Sequence, residues 1–173
     1  MSDTPISRRQ WLAMLTLSLG VSLVVMDMTI VNVAVPVIID DLGLTAAGAQ
    51  WMNAIYLLML ASLLLAAGRL GDRIGRRKVY AIGLVLFMVA SLSAGAAQNQ
   101  EMLIAARFVQ GLGAAMIVPA SLSTLNATFQ GRARGIAFAI WGSTVGGMVA
   151  VGPLLGGWLA TESTWRWAFW INI

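Results

Sequence analysis

Asp27 stands alone among charges in the stretch from Trp11 to Ile39, within the string DMTIVNVAVP. An ionisable side chain so placed costs about 2.5–3.5 kcal/mol at the centre of an apolar span, unless it faces protein or a wet cavity. It suits a group that takes up and releases a proton, and equally a structural carboxylate buried against a cation. One such cation is Arg107, in the string LIAARFVQGLGAA, itself the only charge between Met102 and Phe129. Arg107, Gln110, Gly111, Ala114 and Ala115 recur at intervals of three and four, so they share one helical face. At about 1.5 Å per residue, Arg107 lies about 7–8 Å inside the outer end of its stretch and Asp27 about 13 Å inside its own. Similar depth permits pairing or water-bridged communication. The competing expectation is that Arg107 snorkels to the nearby interface. Pro36 lacks an N–H, so the carbonyl of Asn32 loses its helical partner. The Asn32 side chain can help satisfy that region, and Asn32 and Gln110 are the candidates expected to face a cavity. The chain has no cysteine and no histidine, which excludes disulfides, thiolate ligands and imidazole chemistry. Any proton carrier has to be a carboxylate.

The elements that must position these groups are transmembrane helices. The 173 residues are 59% hydrophobic and 10% charged, against about a quarter charged in soluble domains. Five stretches are nearly free of charge: Trp11 to Ile39, Gln50 to Gly68, Val79 to Ala97, Met102 to Phe129 and Gly135 to Thr161. Each is long enough to cross a hydrocarbon core of roughly 30 Å. The first run is too long for the apolar core of a signal peptide and lacks a small-residue cleavage site, so it reads as a retained span. The expectation is an all-α polytopic membrane protein, with a tail over residues 1–10 and a bundle over 11–173 holding five complete spans and the start of a sixth.

Charge is distributed by side. Arg8 and Arg9 precede the first span, Arg69, Arg73, Arg76, Arg77 and Lys78 lie between the second and third, and Arg132 and Arg134 lie between the fourth and fifth. The opposite side holds Asp40, Asp41, Glu101 and Glu162 with one cation, Arg166. The positive-inside rule then puts the N-terminus in the cytoplasm of a cell-membrane protein. Trp11, Trp51, Trp158, Trp165 and Trp167 fall at expected span ends, where amphipathic rings favour the headgroup level. The net charge of +4 is thus accounted for by topology, and nucleic acid is disfavoured as a partner. No nucleophile with a base, metal-ligand cluster or phosphate loop is apparent, so neither an enzyme nor a cofactor or metal is expected.

Charge is densest in GRLGDRIGRRK, Gly68 to Lys78. Gly68, Gly71 and Gly75 permit a tight turn and close helix approach, and Asp72 can neutralise Arg73 or Arg76. A topology signal alone would account for the cations but not for the glycine spacing or the embedded acid. The pattern closely resembles the loop signature of the major facilitator superfamily of transporters. That resemblance implies a cytoplasmic gate built from Gly68, Gly71, Asp72, Arg73, Gly75, Arg76 and Arg77, whose contacts break and reform as access alternates.

Three further strings resemble that superfamily in order along the chain. DMTIVNVAVP is similar to the first-helix motif of its fourteen-helix drug:proton antiporters, and the Arg107 string to the fourth-helix motif whose arginine is linked to proton transfer. In WGSTVGGMVAVGPLLGGWL, Gly142, Gly146, Pro153, Gly156 and Gly157 form a narrow small-residue stripe, which by itself means only close helix packing. Its GPLLGG core, from Gly152, resembles the fifth-helix antiporter motif, although Met148 stands where that motif usually has glycine. WRWAFWINI resembles the start of the sixth helix in the same family.

The resemblance implies efflux of amphipathic or cationic small molecules driven by proton influx. Asp27 would exchange protons, Arg107 would relay them or tune the carboxyl, and Gly142 to Gly157 would seal the outward leak. Implied partners are the substrate, protons, the lipid bilayer and the C-terminal helices of a complete transporter. The alternative is a truncated, non-transporting membrane fragment or an assembly-only protein, because one half of such a transporter cannot enclose a midplane substrate.

Overall fold

A computed structural model describes residues 7–173. Six helices follow in order: α1 (Arg8–Leu42), α2 (Ala46–Ile74), α3 (Arg76–Gly95), α4 (Gln100–Thr128), α5 (Gly131–Glu162) and the short α6 (Trp167–Trp170). The first five each contain a span long and apolar enough to cross a membrane. A helix satisfies its backbone hydrogen bonds internally, as hydrocarbon demands.

Local chemistry sets the helix ends. Ser7 and Gln10 form a reciprocal capping box at the start of α1, Thr45 caps α2 through Gly48 N–H at 3.0 Å, and Asn99 caps α4 through Met102 N–H at 2.8 Å. Such caps satisfy N–H groups that the first turn leaves free. The cap moves the boundary of the expected tail: Arg8 to Gln10 already belong to α1, and residues 1–6 lie outside the described residues.

Connections are short. The expected turn at Gly68 to Lys78 contracts to Gly75, whose φ of 102° lies in the left-handed region. Only glycine adopts that conformation without strain. Gly68 and Gly71 instead extend α2, and Arg76 begins α3.

α4 is the axis of the bundle, packing against α2 and α3 and, less extensively, α1; α1 packs in turn along α5. The α3–α4 crossing is close because Gly83 and Gly113 face one another. A β-carbon at Gly113 would lie 2.8 Å from the Gly83 carbonyl oxygen. Two apolar cores result. One, toward the α1 N-terminus, joins Met14, Leu17, Val21, Phe87, Ile117, Leu125 and Phe129. The other, toward the α1 C-terminus, joins Ile30, Val31, Ile38, Met52, Leu103, Trp165 and Phe169. Most of α2 and nearly all of α5 remain uncovered, with Leu65 and Leu154 about three-quarters exposed at 76% and 75%.

Candidate functional site

Asp27 and Arg107 meet between the two cores, both essentially inaccessible to solvent. Arg107 Nη1 donates to Asp27 Oδ2 at 2.5 Å and to Gln110 Oε1 at 3.0 Å. Arg107 Nε donates to the Met52 carbonyl at 3.4 Å. The guanidinium lies 4.2 Å from the ring centroid of Tyr56 and 5.8 Å from that of Phe169, giving the charge two aromatic faces in place of water. Tyr56 donates its hydroxyl to the Val24 carbonyl at 3.3 Å, which ties α2 to α1 one turn before Asp27.

The other carboxylate oxygen is held by amides. Gln110 Nε2 donates to Asp27 Oδ1 at 3.1 Å and to Ser91 Oγ at 2.7 Å. Asn172 Nδ2 donates to the same two acceptors, each at 2.9 Å. Five side chains from α1, α3, α4 and the segment just past α6 thus form one buried network. A buried pair is costly to desolvate, and removing one partner leaves a bare charge that costs about 3–5 kcal/mol. This arrangement overturns the snorkelling alternative for Arg107. Partner, burial and aromatic stacking all turn its side chain inward.

Of the two side chains expected to face a cavity, Gln110 does not: it is wholly buried in the network. Its amide satisfies the carboxylate and guanidinium together, which is why it is drawn inward. Asn32 is exposed and accepts a hydrogen bond from Asn53 at 3.1 Å. With Met28, Tyr56, Leu57 and Arg107 these asparagines line a cleft of about 20 Å³, room for one water. The cleft gives Arg107 its narrow contact with the surface of the bundle.

The fifth-helix glycines divide into two sets. Gly152 and Gly156 press against α1 immediately after Asp27: a β-carbon at Gly152 would overlap the Thr29 side chain, and one at Gly156 would lie 3.0 Å from the Ile30 carbonyl oxygen. Gly142, Gly146 and Gly157 face open space. The expected single stripe is therefore split, because Gly152 rather than Gly142 or Gly146 sits at the α1 crossing. Pro153 is exposed within the continuous helix α5.

At the α2–α3 turn, Asp72 pairs with Arg76 at 3.1 Å, and Arg76 also donates to the Ser123 carbonyl of α4 at 2.8 Å. Gly68, Gly71, Arg73 and Arg77 flank this pair. At the opposite end, Trp165 Nε1 donates to Asp41 Oδ2 at 2.8 Å. Arg166 caps α3 through the carbonyls of Gly95 and Ala97 at 3.1 and 2.7 Å and reaches Asp41 at 3.4 Å. Trp165 is 2% exposed; it is not the interfacial ring that its position suggests, because this clasp draws it into the core near the α1 C-terminus. Trp167 is half exposed. The clasp fixes the start of α6 and so delivers Asn172 to Asp27.

Sequence reasoning did not reach Ser91, Tyr56 or Asn172. The available signal was an uncommitted polar side chain in an apolar run; Asn172 offered it in FWINI, but spacing could not say which helix it would meet.

The profile of the Major Facilitator Superfamily matches residues 17–173. The chain is 40% identical over 165 residues to the puromycin resistance protein pur8 of Streptomyces alboniger, covering 95% of this chain and 33% of that protein. It is 38% identical over 173 residues to the multidrug efflux pump LfrA of Mycolicibacterium smegmatis, covering 99% and 34%. The chain thus spans about a third of the length of these curated relatives. Its fold matches a bacterial homologue of the human lysosomal transporter Spinster, solved inward-facing and unoccupied, with a TM-score of 0.79, 20% identity, and coverage of 96% of this chain and 40% of that one.

Proposed function

The chain belongs to the major facilitator superfamily of transporters, and on that premise we propose that it forms the front part of a proton-coupled exporter of amphipathic or cationic small molecules. The observation that carries this reading is the buried Asp27–Arg107 pair. Protonating a carboxylate held by a permanent cation takes the site from net zero to +1 and leaves the guanidinium without its anion, so proton uptake is coupled to a rearrangement that gives Arg107 new partners or water. Protonation of Asp27 releases Arg107 from its Coulombic partner, and release of the proton restores the pair. Export follows if the two states favour opposite openings of the bundle, since a ligand shifts an equilibrium only by its differential affinity for the two states. The relatives named for puromycin resistance and multidrug efflux support the class of cargo.

The remaining residues take supporting roles. Gly152 and Gly156 hold α5 against the α1 turn that follows Asp27, while Gly142, Gly146 and Gly157, with Pro153, present a smooth face to the other half of a complete transporter. Asp72 and Arg76, bridged to α4 through Ser123, form the cytoplasmic latch, with Gly75 as its pivot and Gly68, Gly71, Arg73 and Arg77 around it. Asn32 lines the substrate side, whereas Gln110 orders the proton site. The basic ends of α1, α2–α3 and α4–α5 face the cytoplasm, and the C-terminal helices complete the cavity.

The test is proton-driven efflux by the native-length protein in vesicles with an imposed pH gradient, using a fluorescent organic cation. Asp27→Asn is expected to abolish gradient-driven transport, with retention of the fold checked by circular dichroism because the variant leaves Arg107 without its anion. Undiminished coupled efflux in that variant would sink the proposal.

A further inference from the structure

The hydrogen bonds around Asp27 suit only one of its two protonation states. Its Oδ2 faces Arg107 Nη1, and its Oδ1 faces Gln110 Nε2 and Asn172 Nδ2. All three are donors, as an ionised carboxylate requires. A neutral carboxyl carries an O–H that needs an acceptor, and none of the three supplies one. Left unmet, a buried donor costs about 1–3 kcal/mol.

Arg107 offers no acceptor in any orientation. Gln110 is locked, because its Oε1 accepts from Arg107 at 3.0 Å; turning that amide would set N–H against guanidinium. Asn172 is different. It is 1% exposed, and its Oδ1 is buried with no hydrogen-bond partner. The terminal torsion of an asparagine is broad and roughly two-fold. A half-turn would place Oδ1 where Nδ2 now stands, against both Asp27 Oδ1 and Ser91 Oγ. It would then accept from the protonated carboxyl and from the Ser91 hydroxyl, so both contacts persist with their polarity reversed, while Nδ2 takes the unpartnered place that Oδ1 leaves. The titratable and charged groups facing Asp27 are Arg107 from α4 and, beneath the guanidinium, Tyr56 from α2. α3 supplies Ser91, and α5 meets α1 at Gly152 and Gly156 in the following turns.

We propose that Asn172 is a positioning residue that reads the charge of Asp27, its amide turning over when the carboxyl takes up a proton and exchanging two donated hydrogen bonds for two accepted ones. This rests on Asp27 exchanging protons, as proposed above. The Asp41–Trp165–Arg166 clasp holds the start of α6, so the reversal occurs beside a fixed support.

Infrared difference spectra of the native-length protein in lipid, recorded between alkaline and acidic pH with ¹³C-labelled asparagine, test it. Acidification is expected to produce a protonated-carboxyl band that is lost in Asp27→Asn, together with a shifted asparagine side-chain carbonyl band lost in both Asp27→Asn and Asn172→Gln. The Asn172→Gln variant retains an amide and keeps efflux near the native rate. Asn172→Leu lowers proton-driven efflux about tenfold with KM for the organic cation within about twofold, the signature of an interaction not used in substrate binding. A carboxyl band without the asparagine shift overturns the amide turn and leaves the proton role of Asp27 standing. Absence of the Asp27 band overturns both. Equal loss of efflux in the Gln and Leu variants reduces Asn172 to packing and also overturns the inference.

Discussion

Charge in the membrane interior is tolerated here because it is shared. Asp27 has one oxygen on a guanidinium and the other on two amides, and Arg107 spreads its charge over a carboxylate, an amide, a backbone carbonyl and an aromatic face. Removing one side of such a pair is worse than removing both. Arg107→Ala is therefore expected to lower stability by about 3–5 kcal/mol, and the double variant Asp27→Ala/Arg107→Ala by less, as measured by thermal unfolding in detergent. A double variant as unstable as the sum of the singles would mean that the two charges are not coupled. The exposed Asp72–Arg76 pair is of another kind. Its screening by water limits it to about 0–1 kcal/mol, so Arg76→Gln should leave unfolding nearly unchanged. A large loss of stability would show the Ser123 contact to matter more than the ion pair.

At the scale of the helices, small residues decide which faces can meet. Gly152 and Gly156 lie against α1, whereas Gly157, their neighbour in sequence, faces open space. Gly156→Ala is expected to cost about 1–3 kcal/mol, since its β-carbon would press on the Ile30 backbone. Gly157→Ala should be close to neutral for stability. Thermal unfolding of the two single variants reads the difference, and equal effects would disprove the assigned rotation of α5. The motif GPLLGG identified a helix that must pack closely. It did not say which of its glycines would be the contact, because a spacing fixes relative angles around one helix and leaves the partner's direction open. The same limit explains Trp165, whose position at a span end was legible but whose burial depends on Asp41 from α1.

For the molecule as a whole, the absence of cysteine in the sequence makes topology directly measurable. Lys78→Cys and Glu162→Cys, both at exposed positions, lie at opposite ends of the bundle. A membrane-impermeant maleimide applied to intact cells is expected to label the second and not the first. The reverse pattern would invert the orientation that the basic loops imply. Five membrane-length helices, their order and the residues carrying the charge were fixed by composition and periodicity, because hydrocarbon admits few ways to satisfy a backbone and few places for a charge. Asp27 and Arg107 stood out for the same reason: each is alone in an apolar run. What tertiary structure alone decided is who meets whom. Ser91, Tyr56 and Asn172 converge on the pair from three other parts of the chain, and Gln110 turns into the network rather than toward a cavity. Contacts of that kind depend on the rotation of each helix about its own axis, which close packing against several neighbours sets and local sequence does not.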